Sequence, residues 1–166
     1  MTEGAATFTL RDAAPADAPV LLALVRELAV FERLAHRCVS DEKALAAALE
    51  RNLLRAIIAE RRDDAGPVPI GMAIWHETFS TFSGRHGFWL EDLFVLPDQR
   101  RLGVGRALFA ELARRVKAEG GTGLGWRVLR WNEPGLRFYR ACGGAPNAEW
   151  QEMTLTGAAL EKLAGG

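Results

Sequence analysis

The sequence predicts an α/β or α+β domain built around a mixed β-sheet. Strand-like and helix-like hydrophobic patterns alternate along the chain, which is typical of that class. An apolar run at residues 88–96, a helical run from Val104 and an apolar run at 124–131 form one strand–helix–strand unit. The 166 residues match the length of one domain, 1–166, and no linker divides them.

Each expected element follows from a local pattern. Alternating or continuous apolar runs predict strands at residues 7–11, 55–60, 68–79, 88–96, 124–131 and 149–155. Apolar residues at helical spacing predict helices at residues 20–31, 44–54, 104–117 and 134–141. In the third helix, Val104, Leu108 and Leu112 recur every fourth residue.

Capping and turn residues mark the boundaries of these elements. Ser40 is the expected N-cap of the second helix, because a serine side chain can accept a hydrogen bond from the first turn. Charged, glycine and proline residues predict a hairpin loop at 61–69, and polar and glycine residues predict a loop at 80–87. Pro97 ends the fourth strand, and Gly120 ends the third helix.

Composition argues against several classes of protein. The 21 basic and 21 acidic residues cancel, so no overall field favours a nucleic acid or an acidic membrane. The longest stretch without a charged residue or histidine, residues 65–75, is too short to span a membrane, and the first four residues lack the features of a signal peptide. Cys38 and Cys142 form no metal-ligand spacing and suit a reducing compartment. We therefore expect a cytoplasmic protein with no metal and no nucleic-acid or membrane partner.

The segment from Arg100 to Arg106 joins an apolar strand to an amphipathic helix. Gly103 and Gly105 allow a ligand to approach the backbone, and the N–H groups of the first helical turn favour an anion. With its three arginines the segment suits a diphosphate, and a tight turn with solvated arginines is the alternative. Arg106 follows Gly105 where a Walker loop has lysine, and Leu108 stands where a Rossmann fingerprint has glycine, so both nucleotide sites are disfavoured.

Three motifs resemble one known family. Residues 95–105 read Val-x-Pro-x-x-Arg-x-x-Gly-x-Gly, which resembles the acyl-CoA-binding motif of the GCN5-related N-acetyltransferases (GNAT). Residues 131–145 are similar to the Asn…Phe-Tyr…Gly-Ala stretch of that family. Residues 90–95, Leu-Glu-Asp-Leu-Phe-Val, resemble its diamine (spermidine/spermine) and thialysine N-acetyltransferase branch. Further segments that fit the branch are Arg26-Glu27-Leu28-Ala29, Phe79-Ser80-Thr81-Phe82 with Gly84-Arg85, and Glu149-Trp150.

The resemblance extends from residue 7 to residue 162, and it implies a fold, a cosubstrate and binding residues. The GNAT fold is a central mixed, mostly antiparallel twisted sheet of about seven strands with splayed central strands, flanked by about four helices. The cosubstrate is acetyl-CoA, and a homodimer is expected. Many members have glycine where Arg101 stands. The residues implied to bind the cosubstrate are Leu93, Phe94, Val95, Arg100, Arg101, Leu102, Gly103, Val104, Gly105, Arg106, Asn132, Pro134 and Tyr139.

Tyr139 is the expected catalytic acid. Attack of an amine on a thioester expels a thiolate with a pKa of about 8.5, and a phenol with a pKa of about 10 can protonate it. Tyr139 is the only tyrosine beside eight phenylalanines, and the resemblance implies that it stands near the sulfur. A core tyrosine with a satisfied hydroxyl is the alternative.

Glu91 and Asp92 are adjacent carboxylates in an otherwise apolar strand, where charged residues are uncommon. Strand alternation predicts that they point to opposite faces. A primary ammonium with a pKa of about 10.4 must lose its proton before attack, so a nearby carboxylate can attract the cation and accept the proton. We expect Glu91 to be the base, directly or through water, and both residues to contact the substrate. An ion pair with an arginine is the alternative.

Two glutamates, Glu27 and Glu32, lie near the end of the first helix, the region that covers the substrate pocket in the resembled branch. Glu27 matches the branch pattern and is expected to bind a second ammonium, although a solvated helix face explains it equally well. His76 and His86 have no motif around them and are expected to be structural.

Together these observations predict an acetyl-CoA-dependent N-acetyltransferase that acts by direct attack in a ternary complex. The expected acceptor is a primary amine of a small molecule, namely a polyamine, a diamine or a lysine-like amino acid. An aminoglycoside or a protein amine is the alternative acceptor. A non-catalytic acyl-CoA-binding sensor is the alternative class of protein.

Overall fold

The computed structural model describes residues 8–165 and contains one five-stranded sheet. The strands are β1 (Phe8–Asp12), β2 (Arg55–Asp63), β3 (Gly66–Ser80), β4 (Arg85–Val95) and β5 (Leu124–Trp126), and they lie in chain order. The first four pair antiparallel, and β5 pairs parallel to β4. This arrangement confirms the predicted mixed sheet.

Residues 8–165 contain five α-helices, namely α1 (Ala18–Phe31), α2 (Glu42–Glu50), α3 (Val104–Ala118), α4 (Glu133–Ala141) and α5 (Gly157–Ala164). The chain divides into two compact units. Of the described residues, 8–129 hold the sheet with α1, α2 and α3, and 130–165 hold α4 and α5.

One face of the sheet is covered by α1 and α2. Leu21, Leu24 and Leu28 form a buried stripe at helical spacing on α1. They share one apolar core with Leu49 of α2 and with the strand residues Ala56, Ile58, Met72, Ile74 and Phe94. Full burial of one leucine side chain contributes about 2 kcal/mol, so this stripe fixes α1 on the sheet.

The opposite face is covered by α3, which connects β4 to β5. Val104, Leu108 and Leu112 of α3 are almost fully buried, and the helix packs against β2, β3, β4 and β5. The strand–helix–strand unit that the sequence predicts is therefore present.

Two arginines line the α3 side of the sheet around the buried Trp75. The guanidinium groups of Arg55 and Arg115 lie 5.3 and 5.6 Å from the Trp75 ring centroid. Arg55 also makes two hydrogen bonds, of 2.9 and 2.8 Å, to the carboxylate of Glu119. Because Glu119 follows the last residue of α3, this pair ties the end of the helix to β2, and it lowers the pKa of Glu119.

Two predicted strands are wrong in extent or in kind. The fifth strand ends at Trp126 rather than at residue 131, and residues 149–155 form no strand. Trp150 and Met153 in that segment are exposed, so its apolar alternation does not correspond to a buried face. The sheet therefore has five strands within residues 8–165 rather than about seven. Helix α5 follows residues 149–155, the segment in which the sequence predicts a strand.

Helix and strand ends differ from the prediction by a few residues. The N-cap of α2 is Asp41, whose Oδ1 accepts a 2.7 Å hydrogen bond from the N–H of Ala44, and not Ser40. α2 ends early because the chain reverses through Asn52, which has a φ of 53°.

Both hairpin loops are shorter than predicted. Cross-strand pairing continues to Asp63 and Gly66 in one hairpin and to Ser80 and Arg85 in the other. Thr7, the first residue of the predicted first strand, and the first four residues lie outside the described part of the chain.

Gly71→Ala tests the close contact between β3 and β4. A Cβ at Gly71 would lie 2.7 Å from the backbone oxygen of Phe94, which cannot move without disturbing the sheet. We expect the free energy of unfolding to fall by about 2 kcal/mol. Gly123→Ala is the matched control, because a Cβ there meets nothing within 4 Å, and it should change stability by less than about 0.5 kcal/mol. Urea unfolding measures both, and equal stabilities for the two variants would contradict the prediction.

Candidate active site

A β-bulge in β4 determines where its two adjacent carboxylates lie. Ile74 pairs with Asp92, whereas Trp75 pairs with Leu90, so Glu91 is an extra residue with no partner in β3. A bulge interrupts the alternation of side chains and bends the strand. Glu91 and Asp92 therefore do not follow the alternation of an ordinary strand.

Both carboxylates lie on the face of the sheet that α1 and α2 cover. Asp92 is opposite Ile74, which belongs to the core of that face. His76 follows Ile74 by two residues and shares its face, and Glu91 Oε1 lies 3.2 Å from His76 Nε2. The prediction that Glu91 and Asp92 point to opposite faces is wrong, because the bulge intervenes.

Asp92 is a largely buried carboxylate with two acidic neighbours. Burial, followed by the charges of Glu91 and Glu32, raises the pKa of Asp92 to about 6. Burial also raises the pKa of Glu32, which lies at the C-terminal end of α1. Within residues 8–165 no arginine pairs with Glu91 or Asp92, so the alternative of an arginine ion pair is not observed. We call Glu32, Glu91 and Asp92 the acidic cluster; a cation would stabilise it.

His76 makes contacts through both ring nitrogens. Nε2 lies 3.2 Å from Glu91 Oε1, and Nδ1 lies 3.0 Å from the backbone oxygen of Glu77. The structural role expected for His76 does not include this contact with Glu91. One feature of the sequence could have indicated it. His76 follows the core residue Ile74 by two positions, so in a strand both side chains lie on the same face.

Beyond the bulge, one edge of β4 is open. The N–H of Leu96 donates a 3.0 Å hydrogen bond to a β3 carbonyl, so by alternation the backbone groups of Leu93 and Val95 point away from β3. β5 ends at Trp126, opposite Leu90, and no strand among residues 8–165 pairs with β4 at Leu93 or Val95. An extended amide-containing ligand can pair with this edge, which fits the predicted role of these residues.

Arg100 contacts the backbone of the open edge of β4. Its Nε donates a 3.1 Å hydrogen bond to the backbone oxygen of Val95. Its guanidinium lies 4.8 Å from the ring centroid of Phe31 and 5.7 Å from that of Phe94. The side chain therefore joins the end of α1 to β4.

The segment before α3 leads into backbone N–H groups that have no partner within the helix. Arg101 and Gly103 have positive φ values of 66° and 84°, and Gly103 is the N-cap of α3. The N–H groups of Val104, Gly105 and Arg106 then begin the helix without partners in a preceding turn. Arg101 and Gly103 are exposed, and a Cβ on Gly103 would meet no protein atom within 4 Å. A phosphate can therefore approach this helix N-terminus, as predicted for a diphosphate.

The family model described as "Acetyltransferase (GNAT) family" matches residues 22–144 of the chain. The chain belongs to the acetyltransferase (GNAT) family. Two of its relatives by sequence are named as acetyltransferases and align over most of their length. A thialysine N-epsilon-acetyltransferase of Bos taurus is 30% identical over 165 residues, which cover 94% of this chain and 96% of that protein. An L-ornithine N5-acetyltransferase of Arabidopsis thaliana is 26% identical, covering 93% of this chain and 86% of that protein.

Solved structures share the fold of this acetyltransferase. An integron cassette protein from V. cholerae superposes with a TM-score of 0.78 at 21% identity, covering 96% of this chain and 98% of that one. An aminoglycoside acetyltransferase from a soil metagenomic sample superposes with a TM-score of 0.73 at 18% identity, covering 91% of this chain and 95% of that one. With the family match, these likenesses confirm the predicted GNAT fold class and an acetyltransferase enzyme, for which the family implies acetyl-CoA.

The unit formed by residues 130–165 of the acetyltransferase carries three of the predicted site residues. Asn132 is the N-cap of α4, and its Oδ1 accepts a 3.0 Å hydrogen bond from the N–H of Gly135. Pro134 lies in the first turn, where a proline is tolerated. Tyr139 lies further along α4, with its ring centroid 5.1 Å from that of Phe138 in an edge-on arrangement. Their roles in binding and catalysis remain predictions.

Of the two α1 glutamates, the structure brings Glu32 to the acidic cluster. Its charge acts on Asp92, whereas Glu27 is exposed on α1 and is not among the charges that raise the pKa of Asp92. Within the described residues no group of His, Cys, Asp and Glu side chains is arranged to hold a metal ion. No helix in the same part of the chain has the length and hydropathy needed to cross a membrane.

Asp92→Asn tests the energetic cost of the acidic cluster. The pKa of Asp92 is raised to about 6, so between pH 4 and pH 6 the folded chain keeps a proton that the unfolded chain has released. Stability therefore falls as pH rises through this window, by up to about 3 kcal/mol. The variant lacks this cost, so its free energy of unfolding should exceed that of the parent at pH 8 and match it at pH 4.

Chemical denaturation of both proteins at the two pH values measures this difference. Glu27→Gln is the control, because Glu27 is an exposed α1 glutamate outside the cluster. A difference between Asp92→Asn and the parent that is equal at pH 4 and pH 8 would show that Asp92 is not destabilised when charged.

Proposed function

We propose that this enzyme transfers an acetyl group from acetyl-CoA to a primary amine of a small cationic molecule, a polyamine, a diamine or a lysine-like amino acid. The observation that carries the proposal is the acidic cluster beside the open edge of β4. Relatives of similar length are named for thialysine and for L-ornithine, both amino acids with a side-chain amine, which supports this class of acceptor.

The electrostatics of the cluster favour an ammonium group. Asp92 is largely buried, and its neighbours Glu91 and Glu32 are also acidic, so its ionised form is disfavoured and its pKa is raised. A cation that enters the site removes this repulsion and supplies hydrogen-bond donors to the carboxylates. A neutral or anionic acceptor would gain nothing from the same arrangement.

Acetyl-CoA binding is proposed for the open edge and the helix N-terminus that follows it. The amide groups of the pantetheine arm would pair with the outward-facing backbone groups of Leu93 and with the N–H of Val95, whose carbonyl accepts from Arg100 Nε. The diphosphate would accept hydrogen bonds from the backbone N–H groups at the start of α3, where the helix dipole favours an anion. The reactive thioester would then lie toward the bulge and its carboxylates.

Direct transfer follows from this placement of the two substrates. The ammonium of the acceptor binds Asp92 and loses one proton to Glu91, directly or through water. The neutral amine attacks the thioester carbonyl, a C–N bond forms, and the C–S bond breaks. The family resemblance assigns proton donation to the leaving thiolate to Tyr139, which is then reprotonated through water by the second proton that the nitrogen loses as the amide forms. The balance is one acetylamine, one CoA thiol and one proton released.

Three further expectations belong to this proposal and rest on composition and on the family resemblance. The chain acts as one domain over residues 1–166, it forms a homodimer, and it works in the cytoplasm without a metal or a nucleic-acid or membrane partner.

Release of CoA thiol from acetyl-CoA across a panel of amines tests the proposed function. The panel contains lysine, thialysine, ornithine, putrescine, spermidine, an aminoglycoside and a peptide with a free N-terminus. We expect turnover with a diamine, a polyamine or a lysine-like amino acid. Turnover confined to the aminoglycoside or the peptide would contradict the acceptor class, and acetyl-CoA binding with no turnover would favour a sensor.

Tyr139→Phe tests the assigned acid. The variant keeps the ring and removes only the hydroxyl, so acetyl-CoA affinity should stay within about twofold while kcat falls by about 100-fold. Steady-state kinetics with the best amine of the panel and titration with acetyl-CoA separate the two effects. Unchanged kcat would remove Tyr139 from the mechanism.

A further inference from the structure

The contact between His76 and Glu91 adds to the candidate site a residue that the sequence does not predict there. His76 lies in β3 and Glu91 is the bulge residue of β4, and the register shift brings their side chains to 3.2 Å. The two side chains are 35% and 37% exposed, so each is partly in the protein and partly in water.

The surroundings of the imidazole determine how many protons it can use. Nδ1 lies 3.0 Å from the backbone oxygen of Glu77, which can only accept a hydrogen bond. Nε2 lies 3.2 Å from Glu91 Oε1, which also only accepts when the carboxylate is ionised. Both contacts are hydrogen bonds at once only when the pair carries one more proton than a neutral imidazole and a carboxylate. The two acceptors therefore give the pair room to hold one additional proton.

The other charged groups near His76 do not replace Glu91 as the partner of the imidazole. The Glu77 carboxylate lies 3.6 Å from a guanidinium nitrogen of Arg55, so Glu77 has its own cation. Asp92 and Glu32 are the other two members of the acidic cluster, and their charges act on each other. Glu91 is the carboxylate in direct contact with the imidazole.

The imidazole also has a route to solvent. His76 lines an open surface pocket of about 510 Å³ together with Asn52, Leu53, Arg55 and Glu77. A proton on the ring can therefore reach water in this pocket without crossing the apolar core.

We propose that His76 is a positioning and relay residue for Glu91. His76 holds Glu91 Oε1, takes the proton that Glu91 accepts from the substrate ammonium, and releases it to water in the open pocket. One proton enters the pair and one leaves in each turnover, and no electrons are exchanged. This inference rests on the proposed function, because it requires Glu91 to accept the ammonium proton.

A double-mutant cycle on His76 and Glu91 tests the relay. Glu91→Ala should lower kcat by about 100-fold at pH 7, and His76→Gln by about tenfold, with KM for the amine changed by less than about twofold. Glutamine can still donate a hydrogen bond to Glu91, but it cannot take up and pass on a proton. The double variant should lose no more than Glu91→Ala alone, because His76 acts only through Glu91. The loss in His76→Gln should shrink toward pH 9, where more amine is already neutral.

Three results of the cycle would overturn the relay. They are a fully active His76→Gln variant, a double variant whose loss is the product of the single losses, and a change confined to KM. His36→Gln is the matched control, because His36 is an exposed histidine outside the site, and it should leave kcat unchanged.

An NMR measurement tests the pair without any substrate. At pH 5.5 we expect slowly exchanging N–H signals from both ring nitrogens of His76, assigned by their loss in His76→Gln. Glu91→Ala should abolish the Nε2–H signal and keep the Nδ1–H signal. Loss of both signals, or of neither, would contradict the pairing. If no amine of the panel is acetylated while both signals behave as expected, the proposed function fails and the His76–Glu91 pair is supported.

Discussion

The β-bulge at Glu91 is the constraint on which the candidate site depends. An ordinary strand would place Glu91 and Asp92 on opposite faces, and only one of them could face a ligand. With the bulge, Asp92 lies opposite Ile74 on the α1 face, and Glu91 reaches His76 on the same face. The parallel pairing of β4 with β5 also ends at Leu90, the residue before the bulge. The extra residue of the bulge therefore brings the two carboxylates to one face of the sheet. It also stands where the open edge of β4 begins.

The open part of β4 is supported by Arg100 rather than by a neighbouring strand. Its guanidinium lies over the rings of Phe31 and Phe94, and its Nε donates to the carbonyl of Val95. These contacts hold the end of α1, and so Glu32, against the strand segment that follows the bulge. In the next segment the proposed partners of the diphosphate are backbone N–H groups. Arg101 there has a left-handed φ of 66°, a backbone conformation that glycine adopts with less strain than arginine.

Local sequence patterns predicted most of the elements, whereas the site depends on pairing between strands. Apolar residues at every fourth position are sufficient to predict helix α3, and the helix is present in the structure. The apolar residues at 149–155 look equally strand-like, but a strand needs a partner that a local pattern cannot specify. The same reasoning applies to the site: the sequence could identify Glu91 and Asp92 as unusual in an apolar strand. It could not predict their common face or the contact with His76, since both depend on a register shift of one residue.

The two adjacent carboxylates suit different tasks in the proposed mechanism. Asp92 is largely buried, and burial with its acidic neighbours raises its pKa to about 6. A bound ammonium counteracts both the burial and the acidic neighbours, and so stabilises the ionised form of Asp92. Asp92 is therefore the better suited of the two carboxylates to bind the substrate cation. A base must also return its proton to water before the next turnover. Glu91 is partly exposed and touches an imidazole that lines an open pocket, so a proton on Glu91 has a route out. Separation of cation binding from proton transfer therefore follows from the one-residue insertion that turned both side chains to the same face.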